Sequence, residues 1–347
     1  MEKIKALREQ LKEKKVFAGF DGYTDMLYSI VKRDDGGQKE IYRQSGEFVE
    51  NLRSTSGMSS EYQIMLKEER IGGNAPIMSI GMAAMGANVC CAGLFNKQIE
   101  RLRKGTQGRL KIYSLGEPAV TIALEFQDCK YMLADCSKLE SVTYSNLVRI
   151  MGENAVREDI LMADLIAAVN WSAVPALTEM LEYIFQLETC HHKKKCRWLY
   201  LDLSDVRARE TKELKKYFAT VKQIKKYTGC QTCLSVNQNE LNILIERYRV
   251  EGRQKIKMLR RLLEVDEIIY HGLKDAVFCS EDIYLKTEKN ICEKPKITTG
   301  AGDNFNAGIC VGKLLELSPE KQLKMGNKAA EFYVFHGYSA KLEDLIY

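Results

Sequence analysis

The sequence predicts an α/β protein with three layers, in which helices cover both faces of a mostly parallel β-sheet. From about residue 137 onward, short apolar runs alternate with amphipathic segments of helical period, and no internal repeat or low-complexity segment interrupts this pattern. Parallel strands need crossover connections, which such helices provide. The strand-like runs cover residues 165–170, 198–203, 233–236 and 267–270, and the helical segments cover residues 174–188, 210–226 and 240–249.

The first part of the chain begins the same sheet and adds two strand pairs. Residues 16–22 form a short apolar run that ends at Gly and Asp, as a buried strand does, and residues 87–94 form another strand. Two β-hairpin candidates lie at about residues 25–45 and 118–134. Residues 45–70 are mixed polar and helical in pattern and contain Ser-Thr-Ser-Gly, which we interpret as a loop.

Length and composition exclude several classes of protein. The 347 residues suffice for a large core, and we expect a single domain over residues 1–347. No apolar run reaches the roughly 18 residues of a membrane span, and residues 1–15 read as a charged helix, so we expect a cytoplasmic location and no membrane partner. The net charge of +5 is small and dispersed, which argues against a nucleic-acid partner.

The stretch with the most chemical information is residues 298–308, Thr-Thr-Gly-Ala-Gly-Asp-Asn-Phe-Asn-Ala-Gly. A turn at Gly300, Ala301 and Gly302 leads into an apolar helix. Backbone N–H groups at such a helix start carry partial positive charge and lack partners, so the stretch predicts a phosphate site. Asp303 could then take the proton from a hydroxyl that attacks phosphorus. An ordinary turn with an Asp helix cap is the alternative.

The longer string Thr-Gly-Ala-Gly-Asp-x-Phe-x-Ala-Gly resembles the C-terminal signature of the ribokinase-like (PfkB-type) carbohydrate kinases. The resemblance implies a ribokinase-like fold with a small β-lid built from the two strand pairs. It also implies an enzyme that transfers a phosphoryl group from ATP to a sugar hydroxyl, with Gly300, Ala301 and Gly302 as the anion hole and Asp303 as the general base. A homodimer through the lid is compatible with it.

Candidate sugar-binding residues lie in the first quarter of the chain. In the family, a Gly-Gly pair before a helix contacts the sugar, so the resemblance implies this role for Gly72, Gly73 and Asn74. Asp21 and Asp25 follow the first strand, where open α/β sheets bind ligands. A structural turn remains the alternative for the glycine pair.

Candidate magnesium and phosphate residues follow later strands. Asn237 and Glu240 form an Asn-x-x-Glu pattern directly after a strand. The resemblance implies that they organise Mg²⁺ and phosphate, directly or through water, with Glu240 toward the metal. A helix capping box explains the same pattern without a ligand. Asp202 lies at another strand end and is either a ligand or an internal cap.

The nucleotide-binding segment departs from the family pattern. Residues 270–277 stand where the family usually has a Thr-Leu-Gly-Ser-x-Gly turn, and Lys274 falls where a small residue is expected. Lys274 could pair with a nucleotide phosphate or be solvated. The resemblance also implies that a helix over residues 324–335 borders the adenine, with Asn327 as a contact. Ile297 replaces an Asp found in some members six residues before the base, so a K⁺ requirement stays open.

Two other functions remain open for the sequence. A nucleoside kinase could use the same fold, and a non-catalytic sugar-binding regulator is suggested by the altered turn at residues 270–277. Residues 190–196, Cys-His-His-Lys-Lys-Lys-Cys, contain metal-binding residue types, but their lysines oppose a cation, and we expect a solvated loop there. The sequence does not predict which sugar or which hydroxyl is phosphorylated.

Overall fold

The computed structural model describes residues 2–186, 197–290 and 295–345, so the predicted loop at residues 190–196 lies outside the described residues. Fourteen strands and thirteen α-helices occupy the described part, and none of these helices has both the length and the apolar character needed to cross a membrane.

The strands are β1 (Lys15–Gly19), β2 (Tyr23–Asp35), β3 (Gln38–Ile41), β4 (Ile64–Gly72), β5 (Asn88–Leu94), β6 (Leu110–Gly116), β7 (Ala119–Glu125), β8 (Lys130–Asp135), β9 (Leu165–Ala168), β10 (Trp198–Asp202), β11 (Gln231–Asn237), β12 (Glu267–His271), β13 (Asp275–Cys279) and β14 (Tyr284–Glu288). The helices are α1 (Glu2–Lys12), α2 (Ser45–Ser54), α3 (Asn74–Ala84), α4 (Ile99–Arg103), α5 (Tyr144–Met151), α6 (Glu153–Ala155), α7 (Leu177–Gln186), α8 (Thr211–Thr228), α9 (Gln238–Arg247), α10 (Lys255–Leu263), α11 (Ala301–Leu314), α12 (Pro319–His336) and α13 (Leu342–Leu345).

Nine of the described strands form the main sheet, in the order β14-β13-β12-β11-β10-β9-β1-β5-β6. Strands β12 to β6 along this order run parallel, and β13 and β14 add an antiparallel edge. Alternate side chains enter cores on opposite faces: Val16 and Ala18 pack in the core that contains Met82 of α3, whereas Phe17 packs in the core that contains Leu181 of α7. The predicted three-layer α/β fold is confirmed.

A smaller sheet forms the lid. Strands β3, β2, β7 and β8 follow one another, and β4 pairs with β2. The lid has its own small core, in which Ile30 and Tyr42 pack with the rings of Phe48 and Phe126, whose centroids are 5.8 Å apart. Because α2 supplies Phe48, this helix braces the lid sheet.

The helical pattern and the loop predicted within residues 45–70 are confirmed, whereas the strand in this segment was not predicted. This segment contains α2 and most of β4, which runs antiparallel to β2 over eight residue pairs from Tyr23↔Gly72 to Ile30↔Ile64. Most side chains of β4 are exposed, so the strand lacks the apolar alternation that identifies a strand in sequence. Its strand conformation depends on pairing with a partner that lies far away in the chain.

Helix α11 is held between α3 and α12 by close backbone contacts. A Cβ atom built on Gly81 of α3 would lie 2.9 Å from the Cβ of Ala307, and one built on Gly308 would lie 2.8 Å from the Cα of Gly326 on α12. These glycines therefore allow an approach that larger residues would prevent, and they fix where the N-terminus of α11 points.

We predict that Gly308→Ala lowers the free energy of unfolding by about 1–3 kcal/mol, because the added methyl group overpacks the contact with α12. Chemical denaturation measures the change. Gly46→Ala is the matched control: Gly46 lies in α2, and a Cβ there meets nothing within 4 Å. The control should be neutral or stabilising by up to about 1 kcal/mol. Equal stability of Gly308→Ala and wild type would contradict the packing argument.

Candidate active site

The ends of several main-sheet strands bring polar side chains to one edge. Asp202, Asn237 and His271 are the last residues of β10, β11 and β12, and Asp21 follows the end of β1. Because these strands are parallel, their carboxyl ends meet at the same edge. The start of α11 lies against it, since a Cβ built on Gly302 would be 3.2 Å from Cε1 of His271. The fold thus brings strand-end residues and the glycine turn together.

The turn before α11 presents backbone donors. Gly300 has a left-handed φ of 89°, which favours glycine, and is the N-cap of the helix. The N–H of Ala301 donates to the carbonyl of Thr298 at 3.2 Å, so this one of the predicted donors is already partnered. No hydrogen-bond acceptor in the described part receives the N–H groups of Gly300, Gly302 or Asp303. These N–H groups are available to an anion.

Asp303 lies in the first turn of α11 and remains partly accessible. Burial, and then repulsion by neighbouring carboxyl groups, raise its pKa well above the ordinary value. No lysine or arginine of the described part is ion-paired with it. A carboxylate with a raised pKa is a stronger base, which suits proton abstraction from an alcohol. The neighbouring carboxyl groups belong to Asp202, Asp21, Glu240 and Asp25.

The predicted sugar residue Asp21 is fully buried and fixes the start of α3. Its carboxylate accepts hydrogen bonds from the backbone N–H groups of Asn74 and Ala75, both at 2.8 Å, and from Nδ2 of Asn170 at 2.6 Å. A Cβ on Gly73 would lie 3.0 Å from Asp21 Oδ2, so the glycine gives this carboxylate room. Direct contact between Asp21 and a sugar stays a prediction.

Asp25 lies on the lid strand β2 and faces a narrow cleft between the lid, helices α3 and α12, and the segment before α11. A Cβ on Gly72 would lie 2.3 Å from Asp25 Oδ1, so any larger residue at this position would clash with the carboxyl group. Burial raises the pKa of Asp25, against the opposing effects of a hydrogen bond from Thr121 and the charges of Lys130 and Arg70. The cleft holds only about 10 Å³ of cavity, barely the space of one water molecule. A cavity of this size does not hold a sugar.

The lining of this cleft includes two charged side chains and a tyrosine that are absent from the sequence-based assignment. Arg70 and Lys130 come from the lid strands β4 and β8, and Tyr333 comes from α12. The hydroxyl of Tyr333 lies 2.9 Å from the position of a Cβ on Gly300, so the cleft adjoins the glycine turn. Arg70 lies two residues before the glycine pair, and this position could have identified it from the sequence. Lys130 and Tyr333 lie far from the glycine pair in the chain, so the sequence carried no signal for them.

Asn237 and Glu240 form the capping box of α9. The backbone N–H and Nδ2 of Asn237 donate to the Glu240 carboxylate at 2.9 and 2.7 Å, and the Glu240 N–H donates to Asn237 Oδ1 at 3.0 Å. Burial and the charge of Asp202 raise the pKa of Glu240 to about 9. The capping alternative is therefore realised, while the predicted role toward Mg²⁺ stays a prediction.

Asp202 is held in a buried polar network. Its oxygens accept hydrogen bonds from the N–H of Ser204 and from Nδ2 of Asn306, both at 2.8 Å. Asn306 Oδ1 in turn accepts from the hydroxyl groups of Tyr200 and Ser235. Burial raises the pKa of Asp202 to about 6. The network fixes α11, which carries Asn306, to the carboxyl edge of the sheet.

A second pocket of about 310 Å³ lies on the other side of the glycine turn, at the lower end of the roughly 300–1,000 Å³ that ligand pockets span. Ala301, Gly302 and Asn327 line it, as predicted for the donor side of the site. Oδ1 of Asn327 is buried and has no hydrogen-bond partner in the described part of the chain. Nδ2 of the same side chain donates a hydrogen bond of 3.2 Å to Oγ1 of Thr287, which fixes the amide at the pocket wall.

Lys274 does not line this pocket. It lies exposed in the tight turn between β12 and β13, and its carbonyl accepts from the N–H of Lys289 at 2.9 Å. The side chain of Lys289 lines the pocket instead. Sequence alone does not distinguish these lysines, because their exposure depends on how β13 and β14 fold back on β12.

A Mg²⁺ site made only of protein ligands is absent from the described residues, where no three His, Cys, Asp or Glu side chains are grouped closely enough to hold a metal. Mg²⁺ in kinases usually uses one or two carboxylates together with water and substrate phosphates. Asp303, Asp202 and Glu240 have no ion-paired cation in the described part, and burial raises their pKa values. Such an uncompensated acidic cluster fits a metal that reaches the site with phosphate.

Comparison with known proteins places this geometry in a family. The family model described as prokaryotic ketohexokinase matches residues 2–346. A ketohexokinase of Haloferax volcanii is 25% identical over 350 residues, which cover 97% of this chain and 92% of that one.

Solved structures share the fold. A nucleoside kinase of Methanocaldococcus jannaschii, a member of the ribokinase family, superposes with a TM-score of 0.62 at 14% identity and covers 96% of this chain and 97% of its own. A protein assigned as ribokinase II from E. coli, in complex with ATP and Mg²⁺, has a TM-score of 0.63 at 12% identity, with 96% and 97% coverage.

The fold and site thus define a ribokinase-type sugar kinase, and the resemblance found in the sequence is confirmed. The chain belongs to the prokaryotic ketohexokinase family. It is an enzyme that phosphorylates a sugar, which argues against the nucleoside kinase and the non-catalytic regulator. The similarity to the nucleoside kinase, at 14% identity, shows the fold alone.

We predict that the acidic cluster destabilises the ligand-free protein as pH rises. Glu240 has a folded pKa of about 9, so the folded state holds a proton that the unfolded state releases near pH 4.5. The contribution to stability is present below pH 4.5 and is lost as pH rises toward 9. The melting temperature of Glu240→Gln relative to wild type should therefore increase from pH 5 to pH 9.

Differential scanning fluorimetry across this range measures the effect. Glu246→Gln is the control, because Glu246 lies exposed on the same helix. Parallel pH profiles for Glu240→Gln and wild type would show that Glu240 stays ionised in the folded protein.

Proposed function

We propose that this protein phosphorylates a ketohexose with ATP and Mg²⁺. The family model and the curated relative support a ketohexose as acceptor. The observation that carries the proposal is the start of α11, where N–H groups without acceptors in the described part lie beside a carboxyl group of raised pKa. Phosphoryl transfer needs a site for charge on the transferred group and a base for the attacking hydroxyl.

Residues at the start of α11 would have the following roles in phosphoryl transfer. Asp303 takes the proton from the sugar hydroxyl as that oxygen attacks the terminal phosphorus. The N–H groups of Gly300, Gly302 and Asp303 donate to the oxygens of the transferring group, as fixed donors that need no rearrangement. Ala301 helps to shape the turn but offers no free donor, because its N–H donates to the carbonyl of Thr298.

Other residues would hold the substrates. Asp25 and Asn74 contact the sugar, with Gly72 and Gly73 providing the space, and Asp21 positions the start of α3. Asn327 contacts the adenine, as its position in the lining of the second pocket supports. Asn237 and Glu240 would hold Mg²⁺ beside the phosphates, directly or through water. Bound Mg²⁺ would neutralise charge on the phosphates.

We predict that Asp303→Asn folds but lowers kcat for ketohexose phosphorylation at least about 100-fold, the usual effect of losing a general base. Asparagine keeps the shape of aspartate and cannot take the proton. Coupled detection of ADP with fructose as the acceptor measures turnover.

Calorimetric titration with ADP is the control, because Asp303→Asn should retain nucleotide binding. The same assay over aldohexoses, pentoses and nucleosides tests the acceptor. Turnover by Asp303→Asn within about threefold of wild type would remove Asp303 as the base, and preference for a nucleoside would remove the proposed substrate.

We also propose a homodimer through the outer face of the lid. Cross-strand register places Tyr28 beside Leu66 and places Ile122 beside Met26 and Leu133, so these side chains share one face. Leu66, Ile122 and Leu133 are 48%, 36% and 56% exposed. A stripe of exposed apolar side chains across neighbouring strands is typical of an interface, and a second copy offers an equal stripe.

We predict that Leu133→Lys converts a dimer into a monomer, because the lysine would place a charge in the apolar contact. Size-exclusion chromatography with light scattering measures the mass. Leu262→Lys is the matched control, since Leu262 is 53% exposed on α10, away from the lid. A wild-type monomer at micromolar concentration, or a dimer that Leu133→Lys leaves intact, would exclude this interface.

The proposal also covers the domain organisation, the cellular location and the monovalent cation. Lid strands alternate along the chain with main-sheet strands, which supports one domain over residues 1–347. ATP as donor supports a cytoplasmic location. The apolar side chain of Ile297 lines the sugar cleft where some family members have a carboxylate, so comparison of turnover in K⁺ and Na⁺ decides the monovalent-cation requirement.

A further inference from the structure

Lys289 follows β14 and extends into the second pocket. Its amine lies 4.5 Å from the centre of the Phe305 ring on α11 and donates a hydrogen bond of 3.0 Å to the carbonyl of Gly272. An ammonium group has three donors. No second acceptor and no ion-paired carboxylate is found for this amine in the described part of the chain. The Lys289 amine is thus held in place and keeps N–H donors that have no acceptor in the described part of the chain.

The charged and titratable groups around this amine do not neutralise it. His271 on β12 stacks on Phe305 with centroids 5.0 Å apart and stays neutral, because burial and Lys289 lower its pKa to about 3. Asp275 on β13 attracts the lysine but forms its ion pair with Lys286 at 2.7 Å. Glu331 on α12 is exposed on the pocket rim.

The pocket therefore lies between two kinds of donor. The first turn of α11, with Gly302, presents backbone N–H groups, and the amine of Lys289 lies against Phe305 in the same helix. Partial burial of an unpaired ammonium is unfavourable, and it lowers the pKa of Lys289 to about 8. An anion bound at the helix start would remove this cost.

We propose that Lys289 binds the phosphate chain of the donor nucleotide. The inference rests on the proposed function, because it takes the second pocket as the nucleotide site. Lys289 is a positioning and binding residue here, while proton transfer remains with Asp303. Since its single hydrogen bond to Gly272 also anchors the turn between β12 and β13, ligand binding and turn geometry would be linked through one side chain.

Isothermal titration calorimetry of the full chain with MgADP, AMP and adenosine tests this role. Lys289→Met keeps an aliphatic chain over Phe305 and removes the charge, so MgADP should bind about 10- to 100-fold more weakly, the effect of one charge-assisted hydrogen bond. Adenosine should bind within about twofold of wild type. Lys289→Arg should recover most of the MgADP affinity, and Lys274→Met, in the exposed turn, should match wild type.

The pH dependence gives an independent measurement. Because lysine binds phosphate only when protonated, wild-type MgADP affinity should fall between pH 7 and pH 9.5, and the profile of Lys289→Met should lose this component. Equal weakening of MgADP and adenosine would show that Lys289 only holds the turn and would overturn the proposal. So would unchanged MgADP affinity in Lys289→Met.

These outcomes are separate from those of the proposed function. A wild-type protein that binds MgADP through Lys289 but leaves every ketohexose unphosphorylated would overturn the acceptor assignment alone. A protein that phosphorylates a ketohexose and whose Lys289→Met variant binds MgADP normally would overturn this inference alone.

Discussion

The close packing of α11 between α3 and α12 is the constraint on which the site depends. Glycines at both contacts let the helices approach, and the Asp202–Asn306 network ties the same helix to the sheet edge. The start of α11 is therefore positioned by backbone and buried side chains. Donors fixed in this way can stabilise developing charge without the cost of reorganising in each catalytic cycle. Asp303, the proposed base, is placed by the same helix turn.

The electrostatics of the site combine two opposing features. Backbone N–H groups and the helix dipole favour an anion at the start of α11, while Asp303 and the four carboxyl groups whose charges act on it disfavour one. The mutual repulsion keeps Asp303 basic. It would also oppose a bare polyphosphate, and this gives a physical reason for a donor that arrives with a divalent cation. The raised pKa of Asp303 and the proposed role of Mg²⁺ thus have one origin in the fold.

The sequence allowed the main sheet and the glycine turn to be predicted because their signals are local. Apolar runs alternating with amphipathic helices need no knowledge of partners, and residues 298–308 carry their motif in one continuous string. Strand β4 was missed because its conformation comes from pairing with β2. The sequence offered Lys274 as a phosphate contact, whereas Lys289 lines the pocket. The reason is similar, because the burial of a lysine depends on segments that meet only in the folded chain.

Asp21 has a structural role that its sequence position does not reveal. Its position after β1 predicts a ligand contact, which stays a prediction, and in the structure its carboxylate also accepts hydrogen bonds from backbone N–H groups of α3. A carboxylate at a strand end can serve a ligand or a neighbouring helix, and sequence position is the same in both cases. The combination of Asp25, Arg70 and Tyr333 around one cleft was likewise invisible, because each comes from a different element.

The narrowness of the cleft beneath the lid has a kinetic consequence. A cavity of about 10 Å³ admits no hexose, so if the acceptor binds in this cleft as proposed, its entry and the release of the sugar phosphate require the lid strands to move away from α3 and α12. When such a motion limits turnover, friction with the solvent slows it. Viscosogens such as sucrose or glycerol would then depress kcat, even though the transfer step itself is shielded from bulk solvent.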